Sequence, residues 1–95
     1  MVAVRRLVID VLKPHEPELV DFAERLARTD GVEALSTSLV ETDREVQNVK
    51  ITFEGKALDV ERIEAAVEQQ GGSVHSIDEV ACGEYVVEDR PTPQD

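Results

Sequence analysis

The chain has 95 residues, 21 of them acidic and 10 basic, for a formal net charge of -11. A chain this short holds one domain and one core, and its charge opposes the positive footprint that a phosphate backbone requires, so nucleic acid is excluded as an expected partner. With only Phe22, Phe53 and Tyr85 as aromatic residues, the core must be built from Val, Ile, Leu and Ala, which suits a β-branched sheet covered by helices.

From Val4 to Leu12, Leu7, Ile9 and Val11 alternate with Arg6, Val8 and Asp10, the period-two pattern of a strand with one strongly buried face. The segment Lys13-Pro14-His15-Glu16-Pro17 stops this strand, because its prolines remove backbone donors, and Pro17 suits the first turn of a following helix. Leu19, Val20, Phe22, Ala23, Leu26 and Ala27 recur at helical spacing up to Thr29, with Gly31 placed to end the helix. Val32 to Thr42 and Glu45 to Glu54 read as an antiparallel hairpin joined by Thr42-Asp43-Arg44, with Val49, Ile51 and Phe53 inward and Asn48, Lys50 and Thr52 outward. Asp59 is the expected N-cap of a second helix, Leu58 and Ile63 its hydrophobic staple, and Ile63, Ala66 and Val67 its buried stripe; Gly71-Gly72 ends it. Ser73 to Ala81 is a last main strand, and a short extra strand is expected over Glu84 to Val87, after a turn at Gly83.

The order strand, helix, strand, strand, helix, strand predicts an α+β, ferredoxin-like split βαβ fold (βαββαβ), with an antiparallel sheet and both helices on one face. Residues 1–87 form the single domain; residues 88–95 form an acidic, proline-containing tail that is expected to be disordered. The other sheet face is left open, and Arg6, Val8, Asp10 and Leu12 of the first strand are expected on it, where a partner subunit is the economical cover.

The segments Asp10-Val11-Leu12-Lys13-Pro14-His15-Glu16-Pro17, Gly31-Val32-Glu33, Gly71-Gly72-Ser73-Val74-His75-Ser76-Ile77-Asp78-Glu79-Val80 and Thr92-Pro93-Gln94-Asp95 together resemble an archaeal family of uncharacterised proteins, domain-of-unknown-function family 211. The resemblance covers nearly the whole chain. It implies a ferredoxin-like domain that forms symmetric homo-oligomers, rings among them, with a divalent-cation association and no agreed biochemical activity. The motif positions that carry over are Asp10, Lys13, Pro14, His15, Pro17, Gly72, His75, Ser76, Asp78 and Glu79, none with a transferable catalytic role.

Candidate chemistry is sparse. His15 and His75 are the only histidines, and with Asp10, Asp78 and Glu79 they sit at or beside the first and last strands, expected neighbours in this fold. Convergence at one sheet edge would make an imidazole and carboxylate metal site, or a carboxylate site for calcium or magnesium; otherwise His15 organises the strand-to-helix turn and His75 bonds across the sheet. Adjacent acids on a strand point to opposite faces, so Asp78-Glu79 and Glu41-Thr42-Asp43 are poor catalytic pairs, whereas a cation bridged between subunits suits them. The single Cys82 excludes an intrachain disulfide and a Cys-based zinc site; with apolar Val80 and Ala81 before it, it reads as a small buried residue and not a nucleophile. Gly71-Gly72 follows a helix instead of opening one, unlike a phosphate cradle. Arg5 and Arg6 are expected in solvent.

No nucleophile, base and orienting group occur in a recognisable motif, so the expected role is non-enzymatic: a homo-oligomeric structural, scaffolding or binding module that requires no cofactor. The alternative is a regulatory or sensor domain that binds a divalent cation or small molecule at subunit contacts. No run approaches the roughly 20 apolar residues that span a bilayer, so neither membrane association nor a signal peptide is expected, and a cytoplasmic location follows. Seven Arg against three Lys, with the acidic excess, suggest a salt-rich cytoplasm, in which much of the acidity is solvent adaptation.

Overall fold

The computed structural model of the protein describes residues 2–87. In chain order the elements are β1 (Val4–Pro14), α1 (Leu19–Ala27), β2 (Ala34–Thr42), β3 (Val46–Glu54), α2 (Val60–Gln69) and β4 (Ser73–Cys82). The strands form one antiparallel sheet in the order β2-β3-β1-β4. This is the ferredoxin-like α+β arrangement.

Alternation on the two central strands decides the layers. Leu7, Ile9 and Val11 of β1 pair with Phe53, Ile51 and Val49 of β3, and all six are buried. They meet Phe22 and Leu26 of α1 and Ile63 and Val67 of α2 in one cluster. Each helix thus contributes an i, i+4 pair to one sheet face, since residues at that spacing share a helix face. Val20 lies off that stripe and is exposed.

Both helices end as local chemistry dictates. The Asp59 carboxylate accepts from the Arg62 amide at 3.2 Å, satisfying one orphan donor of α2, and Leu58 is buried beside Ile63 as the staple requires. At its far end the amides of Gly71 and Gly72 donate to the carbonyls of Glu68 and Val67, a Schellman closure in which Gly71 takes φ +86°. Gly31 behaves differently from the expectation. Helix α1 stops at Ala27 with Arg28 as its C-cap, and the positive φ of Gly31 serves a separate turn, in which Val32 donates to the Thr29 carbonyl at 3.1 Å.

The other departures lie at the ends of strands. β1 runs two residues beyond Leu12, through Pro14; β4 begins opposite Leu12, so beyond that point β1 has only β3 beside it and the proline's missing donor disrupts no pairing with β4. Residues 84–87 form no strand. Val4 of β1 pairs with Cys82, leaving no partner backbone further on, and the chain bends away at Gly83, which donates to the Ala3 carbonyl and accepts from Arg5 Nε. Arg5 is therefore half-buried and tied to the backbone at Gly83 instead of lying free in solvent. Cys82 is exposed, at the last position of edge strand β4, and not the small buried residue expected. The acidic tail, 88–95, lies outside the described residues.

Gly55 marks the tightest approach. A Cβ there would collide with the carbonyl oxygen of Gly31 and press on Leu58, and neither backbone can yield without moving the α1–β2 turn. Gly55→Ala should cost about 1–3 kcal/mol, read as a lowered urea midpoint at unchanged m; Lys56→Ala, at an exposed neighbour, should shift stability by no more than about 0.5 kcal/mol.

Candidate functional site

The Lys13-Pro14-His15 turn and Gly71-Gly72 meet at one end of the sheet, where β1 finishes, the β2–β3 hairpin turns and β4 begins, whereas Gly31-Val32-Glu33 lies at the opposite end, beside Glu54 and Gly55. Gly72 fits there because a Cβ would press on Val67 and on the Leu12 carbonyl. The same end carries a shallow polar recess of about 190 Å³ lined by Leu12, Glu41, Thr42, Asp43, Val46 and Asn48.

Lys13 organises this end. The period-two pattern that buries Leu7, Ile9 and Val11 continues to position 13, so Lys13 falls on the helix-covered face and is 0 % exposed. A buried cation is costly unless bonded. Here Nζ donates to the Pro14 carbonyl at 2.8 Å and to Gln47 Oε1 at 2.9 Å, and it stands 5.7 Å from the Phe22 ring centroid, within cation–π range. Among the described residues no carboxylate lies within ion-pair distance of it. Burial pushes the ammonium below the usual lysine range, and the charges of Glu16 and Glu18 oppose that shift in part.

The histidines do not share a site within the chain. His15 is exposed, and its Nε2 lies 2.8 Å from the Asp43 carbonyl oxygen; a carbonyl only accepts, so Nε2 carries the hydrogen. The bond fastens the β1–α1 turn to the hairpin, which is the structural alternative for this residue. Asp43 in turn accepts from the amides of Val46 and Glu45 through Oδ1. Those two bonds, with His15 nearby, hold its carboxyl below the usual range. His75 lies exposed on β4, at a register shift between the pairs Asp10–Ser76 and Val11–Val74.

Asp10, Asp78 and Glu79 are closer companions. Asp10 is half-buried on the uncovered face, opposite Lys50 of β3 and Ser76 of β4, a favourable cross-strand charge arrangement. Ser76 Oγ donates to Asp78 Oδ1 at 2.8 Å. Glu79 is held by Arg6 Nη1 at 3.3 Å, while Arg6 Nε reaches Glu54 at 3.1 Å, so one guanidinium spans three strands. The Glu54 bond first, then the Glu79 bond, raise the Arg6 pKa against partial desolvation. Among the described residues no group of three or more His, Cys, Asp or Glu converges in metal-binding geometry. The uncovered face is mostly polar and charged, with Val8, 4 % exposed, sunk between Thr52 and Glu79.

Lys13 is the residue whose setting the sequence reading missed: the prolines argued for a stop, although the alternation, continued two residues further, points to the core.

A four-stranded antiparallel sheet in the order β2-β3-β1-β4 with both helices on one face defines the class as a ferredoxin-like α+β domain. The sequence matches domain-of-unknown-function family 211, described as an uncharacterised ArCR family, over residues 5–95. It is also 43 % identical over 95 residues to an uncharacterised protein of the archaeon Methanocaldococcus jannaschii, an alignment spanning 100 % of this chain and 98 % of the relative. The chain belongs to domain-of-unknown-function family 211.

The buried lysine sets a pH dependence. Its folded-state pKa lies below the ordinary 10.5, so between the two values the unfolded chain binds more protons, and stability rises with pH through that window. Urea unfolding of the wild type from pH 7 to 10.5 should show this rise, and Lys13→Met should abolish it. At pH 7 the substitution strands the Gln47 and Pro14 acceptors but removes a buried charge, so its net cost should stay under about 3 kcal/mol.

Proposed function

We propose that the protein is a non-enzymatic, homo-oligomeric structural or scaffolding module of the cytoplasm, built by pairing between copies of the chain. The observation that carries this reading is the state of the two sheet edges. β2 exposes Leu39 (47 %) and Val40 (61 %), and β4 exposes Ile77 (47 %) and Val80 (50 %). Long edge strands with free backbone groups and exposed aliphatic side chains are templates for pairing with another chain. A β2 edge meeting the β4 edge of the next copy is a head-to-tail contact, which closes as a ring when the rotation per subunit permits. The polar uncovered face suits solvent better than an apolar subunit contact, so the edges are the favoured surfaces.

A second reading, regulation by a divalent cation at subunit contacts, draws on the placement of Asp78 and Glu79. Both are exposed on edge strand β4, where a neighbouring copy would supply the further oxygens that calcium or magnesium needs. Asp10 lies one strand inward. His75 is near enough in sequence to join such a contact, whereas His15 is already engaged by the hairpin.

Light scattering separates these readings. A discrete multiple of 10.5 kDa is expected, reduced to the protomer by Leu39→Lys or Val80→Lys. Dissociation by a chelator, reversed by calcium, would favour the cation reading, and a wild-type monomer at all practical concentrations would overturn both.

The charge of -11 also works against compactness, in keeping with a salt-rich cytoplasm. Raising salt from about 0.1 M to about 1 M shortens the screening length from about 10 Å to about 3 Å. Thermal unfolding should therefore move upward with salt and downward on desalting.

A further inference from the structure

The largest departure from the acidic character of the chain is a groove between the two helices. Arg25 and Arg28 at the end of α1 and Arg62 in the first turn of α2 line an open cavity of about 380 Å³, together with Thr29, Asp30, Ala65, Ala66 and Gln69. Three of the seven arginines thus share one groove with a single lining carboxylate, in a chain where acids outnumber bases 21 to 10.

Each arginine has an ordinary role to weigh first. Arg25 in the last turn of α1 complements the helix dipole, and Arg62 joins the helices through Asp30 at 3.1 Å, with Asp59 at 3.6 Å. The dipole does not explain Arg62, because a cation at a helix N-terminus is disfavoured. Nor do α1's last carbonyls engage the arginine side chains: those of Arg25 and Leu26 accept from the amides of Arg28 and Thr29. Among the described residues Arg25 and Arg28 make no ion pair, so two guanidiniums stand uncompensated beside a third.

We propose that this groove binds a phosphate-bearing small molecule, its phosphate seated among Arg25, Arg28 and Arg62. Guanidinium forks match phosphate oxygens in pairs, and charge-assisted bonds of this kind are the strong ones. The small side chains of Ala65 and Ala66 in the lining leave room for the anion, and Thr29 and Gln69 add neutral polar groups for the rest of the molecule. A long polyanion would meet the acidic surface beyond the groove; a small one answers mainly to the local field, because charges beyond the screening length, about 10 Å at 0.1 M salt and about 3 Å at 1 M, are damped.

The test is a titration of the ¹⁵N-labelled full chain with inorganic pyrophosphate at constant ionic strength, followed by amide shifts. Saturable shifts confined to residues 25–30 and 62–69 are expected. The double substitution Arg25→Gln with Arg28→Gln should weaken binding about tenfold or more, with a dispersed spectrum showing that the fold is intact, while Arg44→Gln should leave it unchanged. Absence of saturation, equal binding by sulfate, or undiminished binding by the double variant would overturn the assignment.

Discussion

The pairing of β1 with β3 is the constraint on which everything else is arranged. Leu7, Ile9 and Val11 stand opposite Phe53, Ile51 and Val49, and a one-residue slip would turn the three apolar side chains of the slipped strand toward the polar face. That register is specified because one face is dry and the other is not. It fixes where the helices sit, since Phe22, Leu26, Ile63 and Val67 have no other apolar surface of comparable size to cover. It also commits Lys13, two positions beyond Val11, to the interior.

Lys13 shows how a fold places a charge where composition would not. Its methylene stem continues the aliphatic row of β1, and its head finds a carbonyl, an amide oxygen and an aromatic ring at the rim of the core. The contact joins β1, β3 and α1 at the end of the sheet that carries the Pro14-His15 turn and Gly72. The His15 bond to the Asp43 carbonyl ties the adjoining turn to the same hairpin. These segments therefore have a structural reason to occur together, separate from any ligand.

The surfaces on which the proposed roles rest, in contrast, lie on the periphery. The edges carry aliphatic residues without cover, the uncovered face carries paired charges, and the groove between the helices gathers positive charge on an acidic molecule. Self-association through the edges and anion binding between the helices use different surfaces, so the two are physically compatible. Membership of domain-of-unknown-function family 211 and a full-length relative at 43 % identity fix the lineage and leave the biochemical role to these surfaces.

The alternation of apolar residues along β1 and β3, the i, i+4 pairs of the helices, the Asp59 cap and the Gly71-Gly72 stop are local signals, and they sufficed to determine the element order and the ferredoxin-like architecture. Local chemistry also gave misleading signals at strand ends. Two prolines suggested that β1 stops at Leu12, and valines beside Tyr85 suggested a strand that lacks a partner. Whether a proline is tolerated or a strand forms depends on which backbone lies alongside, and only the sheet order decides that. The same holds for the candidate site. Asp10, Asp78 and Glu79 lie near one another as the pairing of β1 with β4 requires, but His15 was drawn to the hairpin by a hydrogen bond that no spacing reveals. Arg25 and Arg28 are separated from Arg62 by more than thirty residues. They meet because both helices must cover the same apolar face, a consequence of packing and not of sequence proximity.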